Sequence, residues 1–164
     1  MSRERVYWDS DCFLGWLQAE PDKVDACREV LEEADAGRVI IVTSALTIAE
    51  VLAMRRREPI DRSRRENVEG FFRRSYIAVQ NVTRTIAEHA RSVVWDNGVL
   101  PKDAIHVATA LATKVARLNT FDQGLLSKSG LIGSPALAIC RPFVVSPKLD
   151  LRPPVQDVVD RPEA

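Results

Sequence analysis

Four acidic residues lie where a simple hydrophobic core would not place them. Asp9 ends the apolar run VYW, Glu50 lies inside TSALTIAEVLA, Asp103 inside LPKDAIHVATALA, and Asp122 inside LNTFDQGLL. Two unit charges about 4 Å apart repel by roughly 4 kcal/mol at an effective dielectric near 20, so converging carboxylates must take up protons or bind a cation. Oxygen-only ligand sets suit hard ions, so Mg²⁺ or Mn²⁺ is the predicted cofactor, and such ions act on phosphates.

Each acid also has an ordinary interpretation. Glu50 carries the strongest functional signal, because aliphatic residues surround it on its predicted helix and a Glu is rarely buried unpaired. The alternative is that Glu50 points to a narrow solvent-exposed strip of this helix. Asp9 and Asp122 are suited to capping helices, and Asp103 lies in a first turn, where a negative charge favours the helix dipole. Their shared position after strands or crossovers favours a common site.

Thr120 and Asp11 are predicted to support these acids. The Thr120 hydroxyl comes two residues before Asp122, so it is predicted to orient a carboxylate or a metal-bound water. Asp11 is predicted to cap a helix or to lie beside the ligands. His106 follows Asp103 by one helical turn on the same face, and a lone helical His is more often a hydrogen-bonded or surface residue than a ligand.

Strands and helices must alternate to bring these acids together. Apolar runs predict strands at residues 6–8, 39–43, 76–79, 117–119 and 136–139, separated by helical patterns. A helix from 46 to about 57 would carry Glu50, and another from 102 to about 114 would carry Asp103. This alternation predicts an α/β fold around a parallel sheet. Ligands bind such sheets at the carboxyl ends of the strands.

Length and composition are those of one folded domain. The chain has 164 residues, of which 46% are hydrophobic and 28% charged. Three widely spaced cysteines without a CxxC pair predict free thiols, and the lack of an apolar signal or membrane segment predicts a cytoplasmic protein. Five of the nine prolines fall after residue 141. We therefore expect a folded domain at 1–145 and a Pro-rich C-terminal tail at 146–164.

Four segments, in this order and spacing, resemble the PIN-domain family and, within it, the VapC-like toxin ribonucleases of bacterial toxin–antitoxin pairs. The segments are VYWDSDCFLGWL, TSALTIAEVL, PKDAIHVATALA and NTFDQGLL, and the resemblance runs from about residue 6 to 126. It implies a Rossmann-like three-layer α/β/α fold with a central parallel sheet of four or five strands. It also implies an endoribonuclease that uses one or two Mg²⁺ or Mn²⁺ ions.

The same resemblance assigns residues to roles. Its four acids fall on Asp9, Glu50, Asp103 and Asp122, which would be both catalytic residues and metal ligands. Thr120 matches the hydroxyl residue commonly found before the last acid. Asp11 is a departure, because the family often has Asn or Ser at that place, and it adds a negative charge near the first ligand.

Basic residues are concentrated in one segment although the whole chain is neutral, with 23 Lys plus Arg and 23 Asp plus Glu. Between residues 55 and 74, eight arginines against four acids give +4. Arginine binds phosphate well through its planar fork, but a solvated helix face explains any single one equally well. The residues predicted to contact RNA or a protein partner are Arg55, Arg56, Arg57, Arg73 and Arg74. The resemblance implies an RNA substrate, a cognate antitoxin and a homodimer.

Two other functions would also use some of these residues. VYWDSD also resembles the opening of haloacid-dehalogenase-like phosphatases, in which Asp9 would be a phosphorylated nucleophile and Asp11 a general acid. That reading leaves Glu50 without a role and offers only Lys102 and Asp122 for the later motifs. The other rival is a PIN-like binding scaffold that has lost its chemistry, which usually shows as missing acids, and none is missing here.

Overall fold

The bounds of the strands and helices follow the predicted alternation. The structure is a computed structural model that describes residues 2–52 and 57–145. The strands within these ranges are β1 (Glu4–Trp8), β2 (Val39–Ser44), β3 (Ile77–Gln80), β4 (Arg117–Asn119) and β5 (Ile139–Cys140). The helices there are α1 (Ser10–Leu17), α2 (Val24–Asp35), α3 (Ala45–Glu50), α4 (Arg65–Phe72), α5 (Arg84–Asn97), α6 (Pro101–Ala112) and α7 (Gln123–Leu126), with a 3-10 turn at Arg62–Arg64.

The five strands form one parallel sheet in the order β3-β2-β1-β4-β5. Strand β1 lies at the centre, where Tyr7 is in register with Val42 of β2 and with Leu118 of β4. The chain builds outward from β1 to β3 on one side and then returns to add β4 and β5 on the other. The order therefore reverses between β1 and β4, and open parallel sheets bind ligands in the crevice at such a reversal. The predicted fold class is confirmed.

Helices cover both faces of the sheet. Successive side chains of a strand point to opposite faces, so Val6 and Trp8 pack with α1, α2 and α4, while Tyr7 packs with α5 and α6. On the first face the ring of Phe13 lies 5.5 Å from that of Trp8 and 4.9 Å from that of Phe72, measured between centroids. These two cores make the predicted three layers.

Two predicted helix ends are wrong. Helix α3 ends at Glu50 instead of continuing to about residue 57, and a turn follows at residues 51 and 52. Helix α6 ends at Ala112 because Lys114 has a φ of 52°, in the left-handed region that cannot continue the helix. At its other end, Pro101 occupies the first turn of α6, where its missing N–H costs no hydrogen bond.

Some predictions concern residues that the structure does not describe. The predicted Pro-rich tail at 146–164 lies outside the described ranges. The three cysteines lie inside them and are free thiols. No helix in the described part of the chain is long and apolar enough to cross a bilayer.

Candidate active site

Asp9 lies at the end of the central strand and caps the next helix. Its Oδ1 accepts a hydrogen bond of 3.1 Å from the amide of Cys12, as an N-cap carboxylate does. Its Oδ2 accepts one from the Thr120 hydroxyl. Only 5% of the residue is exposed. Burial raises the pKa of Asp9 to about 6 and the charge of Asp11 adds to this, while the bonds from Thr120 and Cys12 oppose it.

Thr120 connects Asp9 to Asp122 across the reversal in strand order. Its hydroxyl donates to Asp9 and accepts a 3.0 Å hydrogen bond from the backbone N–H of Asp122. The Asp122 carboxylate is exposed and caps α7 through the amides of Gly124 and Leu125 at 3.4 and 3.3 Å. Asp122 therefore fulfils the capping role, and its backbone is joined to Asp9 through Thr120. The carboxylate that the Thr120 hydroxyl contacts is that of Asp9, and its support of a metal ligand stays a prediction.

Glu50 is held from two sides. Its Oε2 lies 2.8 Å from Nε2 of His106 and also accepts a hydrogen bond from the hydroxyl of Ser10, the neighbour of Asp9. Its Oε1 lies 3.8 Å from the ammonium of Lys102. Burial works against ionisation, but the hydrogen bonds from His106 and Ser10 outweigh it and lower the pKa of Glu50 below its usual range. Glu50 is partly buried and hydrogen-bonded, which excludes the solvent-strip alternative.

Asp103 lies in the first turn of α6, one turn before His106. Burial raises its pKa, and the negative charges of Asp122, Glu50 and Asp11 raise it further. Within the described ranges, no side chain donates a hydrogen bond to its carboxylate. The charge of Asp103 therefore has no side-chain hydrogen-bond donor among the described residues to stabilise it.

The four predicted acids therefore lie at one edge of the sheet. Thr120 joins Asp9 to Asp122, and Ser10 joins the end of β1 to Glu50, which His106 connects to the helix of Asp103. In the described part of the chain, no three His, Cys, Asp or Glu side chains are grouped closely enough to hold a metal ion as they stand. The chemistry of the donors still suits a hard divalent cation, because they are carboxylate oxygens and burial raises the pKa values of Asp9 and Asp103.

Asp11 belongs to an ion-pair cluster beside this site. One of its oxygens lies 2.9 Å from the Lys23 ammonium and 2.5 Å from the Arg57 guanidinium, and both cations also pair with Glu20. The sequence gives no sign of these partners. A carboxylate held by two cations is poorly placed to donate a proton, so this geometry disfavours the phosphatase alternative, which needs Asp11 as a general acid.

The predicted arginine contacts have different environments. Arg57 is engaged by Asp11 and Glu20, and Arg74 stacks over the rings of Phe71 and Tyr76. Arg73 is exposed. Arg55 and Arg56 lie outside the described residues. Among the described residues, Lys102 lies within ion-pair distance of one of the four acids, with its ammonium 3.8 Å from Glu50. The sequence assigns Lys102 a role only in the phosphatase alternative.

Ser10 and Tyr7 take part in the hydrogen bonding of the site although the sequence does not mark either as functional. Ser10 directly follows Asp9, and Tyr7 lies inside the apolar run VYW. The hydroxyl of Tyr7 lies 2.7 Å from Nδ1 of His106. Strand alternation predicts that Tyr7 points into the core. A buried tyrosine hydroxyl needs a hydrogen-bond partner, and this is the sequence signal for its role. Both ring nitrogens of His106 have hydrogen-bond partners, which agrees with the hydrogen-bonded alternative for a lone helical His.

Comparison with known proteins agrees with this architecture. A family model described as the PIN domain matches residues 6–131. A comparison with curated protein sequences found no match. A chain of a toxin–antitoxin complex from Klebsiella pneumoniae is similar in structure, with 18% identity, a TM-score of 0.58, and coverage of 85% of this chain and 99% of that chain.

Two further solved structures share the fold. VapC20 of Mycobacterium tuberculosis, described as a sarcin-ricin loop cleaving toxin, has 13% identity and a TM-score of 0.59, covering 72% of this chain and 90% of its own. VapBC2 of Rickettsia felis, bound to a promoter DNA fragment, has 13% identity and a TM-score of 0.58, covering 82% and 96%. At these identities the likeness shows a common fold. Since the family model spans most of the sequence and all four acids, the chain belongs to the PIN-domain family.

Proposed function

We propose that this protein is a metal-dependent endoribonuclease that cleaves RNA phosphodiester bonds as the toxin of a toxin–antitoxin pair. One observation carries the proposal: acids from four separate segments lie at the reversal in strand order. Thr120 bonds Asp9 to the backbone of Asp122, Ser10 and His106 bond Glu50, and Asp103 lies one helical turn before His106. The protein leaves part of their charge uncompensated, since the pKa values of Asp9 and Asp103 are raised. Membership in the PIN-domain family and the shared fold with toxins support it.

The proposed ligands are Asp9 and Asp103, with Glu50 and Asp122 binding directly or through water. The chemistry supplied by a bound Mg²⁺ or Mn²⁺ is a lowered pKa for water, a polarised phosphoryl oxygen and neutralisation of the leaving oxygen. The chain prepares this site in advance. Thr120 and the Cys12 amide fix the Asp9 carboxylate, so its orientation requires no reorganisation when the cation arrives.

An RNA backbone approaching the acids needs cations nearby. Lys102 meets this need, because its side chain is 73% exposed and its ammonium lies 3.8 Å from Glu50. In our proposal it attracts the phosphate and moves from Glu50 to the substrate. Arg73 and Arg74 are exposed, and we propose that they contact RNA or a protein partner.

The proposed protein partners are a cognate antitoxin and a second copy of the chain. Two of the similar structures are a toxin–antitoxin complex and VapBC2. Helices α3 and α4 border a groove with a volume of about 680 Å³, and Ile48 and Leu52 on its wall are 45% and 51% exposed. Arg62, Arg65 and Arg73 also line it. An amphipathic segment of a protein partner fits such a surface.

We also propose that the protein acts in the cytoplasm.

The direct test is cleavage of single-stranded and hairpin RNA by the purified full chain. We expect cleavage with Mg²⁺ or Mn²⁺, none with EDTA, and loss of cleavage in Asp103→Asn. The matched control is Asp25→Asn, which makes the same carboxylate-to-amide change in an exposed pair with Arg28 and should retain activity. Cleavage that continues in EDTA or in Asp103→Asn would remove the acids from the mechanism.

The rival functions give different results in parallel assays. A phosphatase would hydrolyse small phosphoesters and leave RNA intact. An inactive scaffold would bind Mn²⁺ no better than the double variant Asp9→Asn with Asp103→Asn. We expect the wild-type protein to bind Mn²⁺ and that double variant to lose the binding.

A further inference from the structure

A line of polar side chains runs from the core beneath the sheet to the acidic site. Tyr7 of β1 is buried, and its hydroxyl lies 2.7 Å from Nδ1 of His106 on α6. The opposite ring nitrogen of His106, Nε2, lies 2.8 Å from Oε2 of Glu50. His106 is 2% exposed, so each ring nitrogen has its partner from within the protein. Neither nitrogen is left over to bind a metal.

The direction of these hydrogen bonds follows from the carboxylate. An ionised carboxylate only accepts hydrogen bonds, so the Nε2 of His106 that lies 2.8 Å from Oε2 of Glu50 carries a proton. The other nitrogen of a neutral imidazole is an acceptor, and the Tyr7 hydroxyl, 2.7 Å away, donates to it.

The two oxygens of Glu50 consequently have different roles. Oε2 accepts from both His106 and the Ser10 hydroxyl. Oε1 has only the exposed ammonium of Lys102 within 4 Å as a charged neighbour, among the residues described. A carboxylate anchored through one oxygen presents the other in a fixed direction. Partners of this kind commonly orient metal-binding carboxylates.

We propose that His106, held by Tyr7 with its proton on Nε2, is a positioning residue that makes Glu50 present Oε1 to the cation. The inference rests on the proposed function, because it assigns an oxygen of Glu50 to the metal. This proposal differs from a purely structural role for His106, because it requires a hydrogen-bond donor at the Nε2 position and does not require the bulk of the ring.

The tautomer can be measured without metal or RNA. The chain has two histidines, and the exposed His89 can be replaced in His89→Gln to leave one imidazole signal. Nitrogen-15 spectra of this protein at neutral pH should show an unprotonated Nδ1 and a protonated Nε2. In Tyr7→Phe the Nδ1 nitrogen loses its donor, and we expect its chemical shift to change. A protonated Nδ1 in the protein with Tyr7 intact would overturn the inference.

The consequence for the cation can be measured with a pair of amide variants. In His106→Gln the longer side chain carries an N–H near the former Nε2, whereas in His106→Asn the shorter one reaches only toward Tyr7. Both variants lose the ring, so their thermal stabilities should fall together. Residues that orient a ligand typically contribute about 10- to 100-fold to metal affinity. We expect such a loss in Mn²⁺ affinity by calorimetry for His106→Asn and a substantially smaller one for His106→Gln.

RNA cleavage adds a second readout. We expect kcat to fall in His106→Asn with KM for RNA nearly unchanged, because Lys102 and the arginines remain in place. Equal losses in the Gln and Asn variants, with Mn²⁺ binding by the wild type, would overturn this inference and leave the proposed function intact. A wild-type protein without Mn²⁺ affinity would overturn both.

Discussion

Replacing Asp9 by asparagine should stabilise the metal-free protein while abolishing its activity. Asp9 is buried, and its pKa rises from an ordinary value of 3.8 to about 6 in the folded chain. Folding therefore favours the protonated form. This contribution to stability is fully present below the unfolded pKa and is lost as the pH rises through about 6. At neutral pH the wild type bears a buried charge that Asp9→Asn lacks.

The size of the effect follows from the shift. One pKa unit corresponds to about 1.4 kcal/mol, so the whole shift is worth on the order of 3 kcal/mol. Most of this change in stability falls between pH 4.5 and 7.5. Over that range the unfolding free energy of the wild type falls by about 2 kcal/mol relative to that of the variant. The asparagine of Asp9→Asn should bond to Thr120 less well than the carboxylate does, which lowers the stability of the variant by roughly 1 kcal/mol at both pH values.

Thermal unfolding in EDTA measures this difference. The melting temperature of Asp9→Asn minus that of the wild type should be about 4–8 °C larger at pH 7.5 than at pH 4.5, since 1 kcal/mol shifts a domain of this size by about 2–4 °C. Adding Mn²⁺ at 100 times its Kd should raise the wild-type stability by about 2.7 kcal/mol and the variant by much less. A difference independent of pH would refute the reasoning that Asp9 is a buried, uncompensated charge.

Three further substitutions test individual contacts. Glu50→Gln should lower kcat by at least the roughly 10- to 100-fold typical of residues that merely orient a ligand; unchanged single-turnover rates would contradict its assignment. Thr120→Val removes the hydroxyl bonded to Asp9 and should lower the urea-derived unfolding free energy by about 1–3 kcal/mol. This loss should clearly exceed that of the control Thr113→Val, whose hydroxyl, just after the end of α6, bonds only to the backbone. Asp11→Asn should reduce stability but leave Mn²⁺ affinity unchanged in calorimetry, because two cations already hold that carboxylate.

The sequence predicts the parts of the site that depend on local order. Asp9 and Asp122 follow β1 and β4, and parallel strands bring such positions to one edge. The acids of α3 and α6 are detectable because charged residues interrupt apolar helices. These features need only the periodicity and the order of the elements along the chain.

Other parts depend on long-range packing and could not be assigned from sequence. Tyr7 and His106 are separated by 99 positions, and only the completed sheet places α6 over the central strand. The partners of Asp11 likewise come from separate segments, Lys23 and Arg57. The early end of α3 at Glu50 runs against a helical pattern that continues past it.

The junction of β1 and α1 gives the acidic centre a branched construction. In one branch, Asp9 is hydrogen-bonded through Thr120 to the backbone of Asp122. In the other, the adjacent Ser10 is hydrogen-bonded to Glu50. Because both branches are proposed to hold the same cation, changes in different branches should combine non-additively, as they do for residues of one network. A shift of the short peptide unit between Asp9 and Ser10 would disturb both at once. Substitutions that move the backbone at Asp9 and Ser10 should therefore affect all parts of the acidic centre.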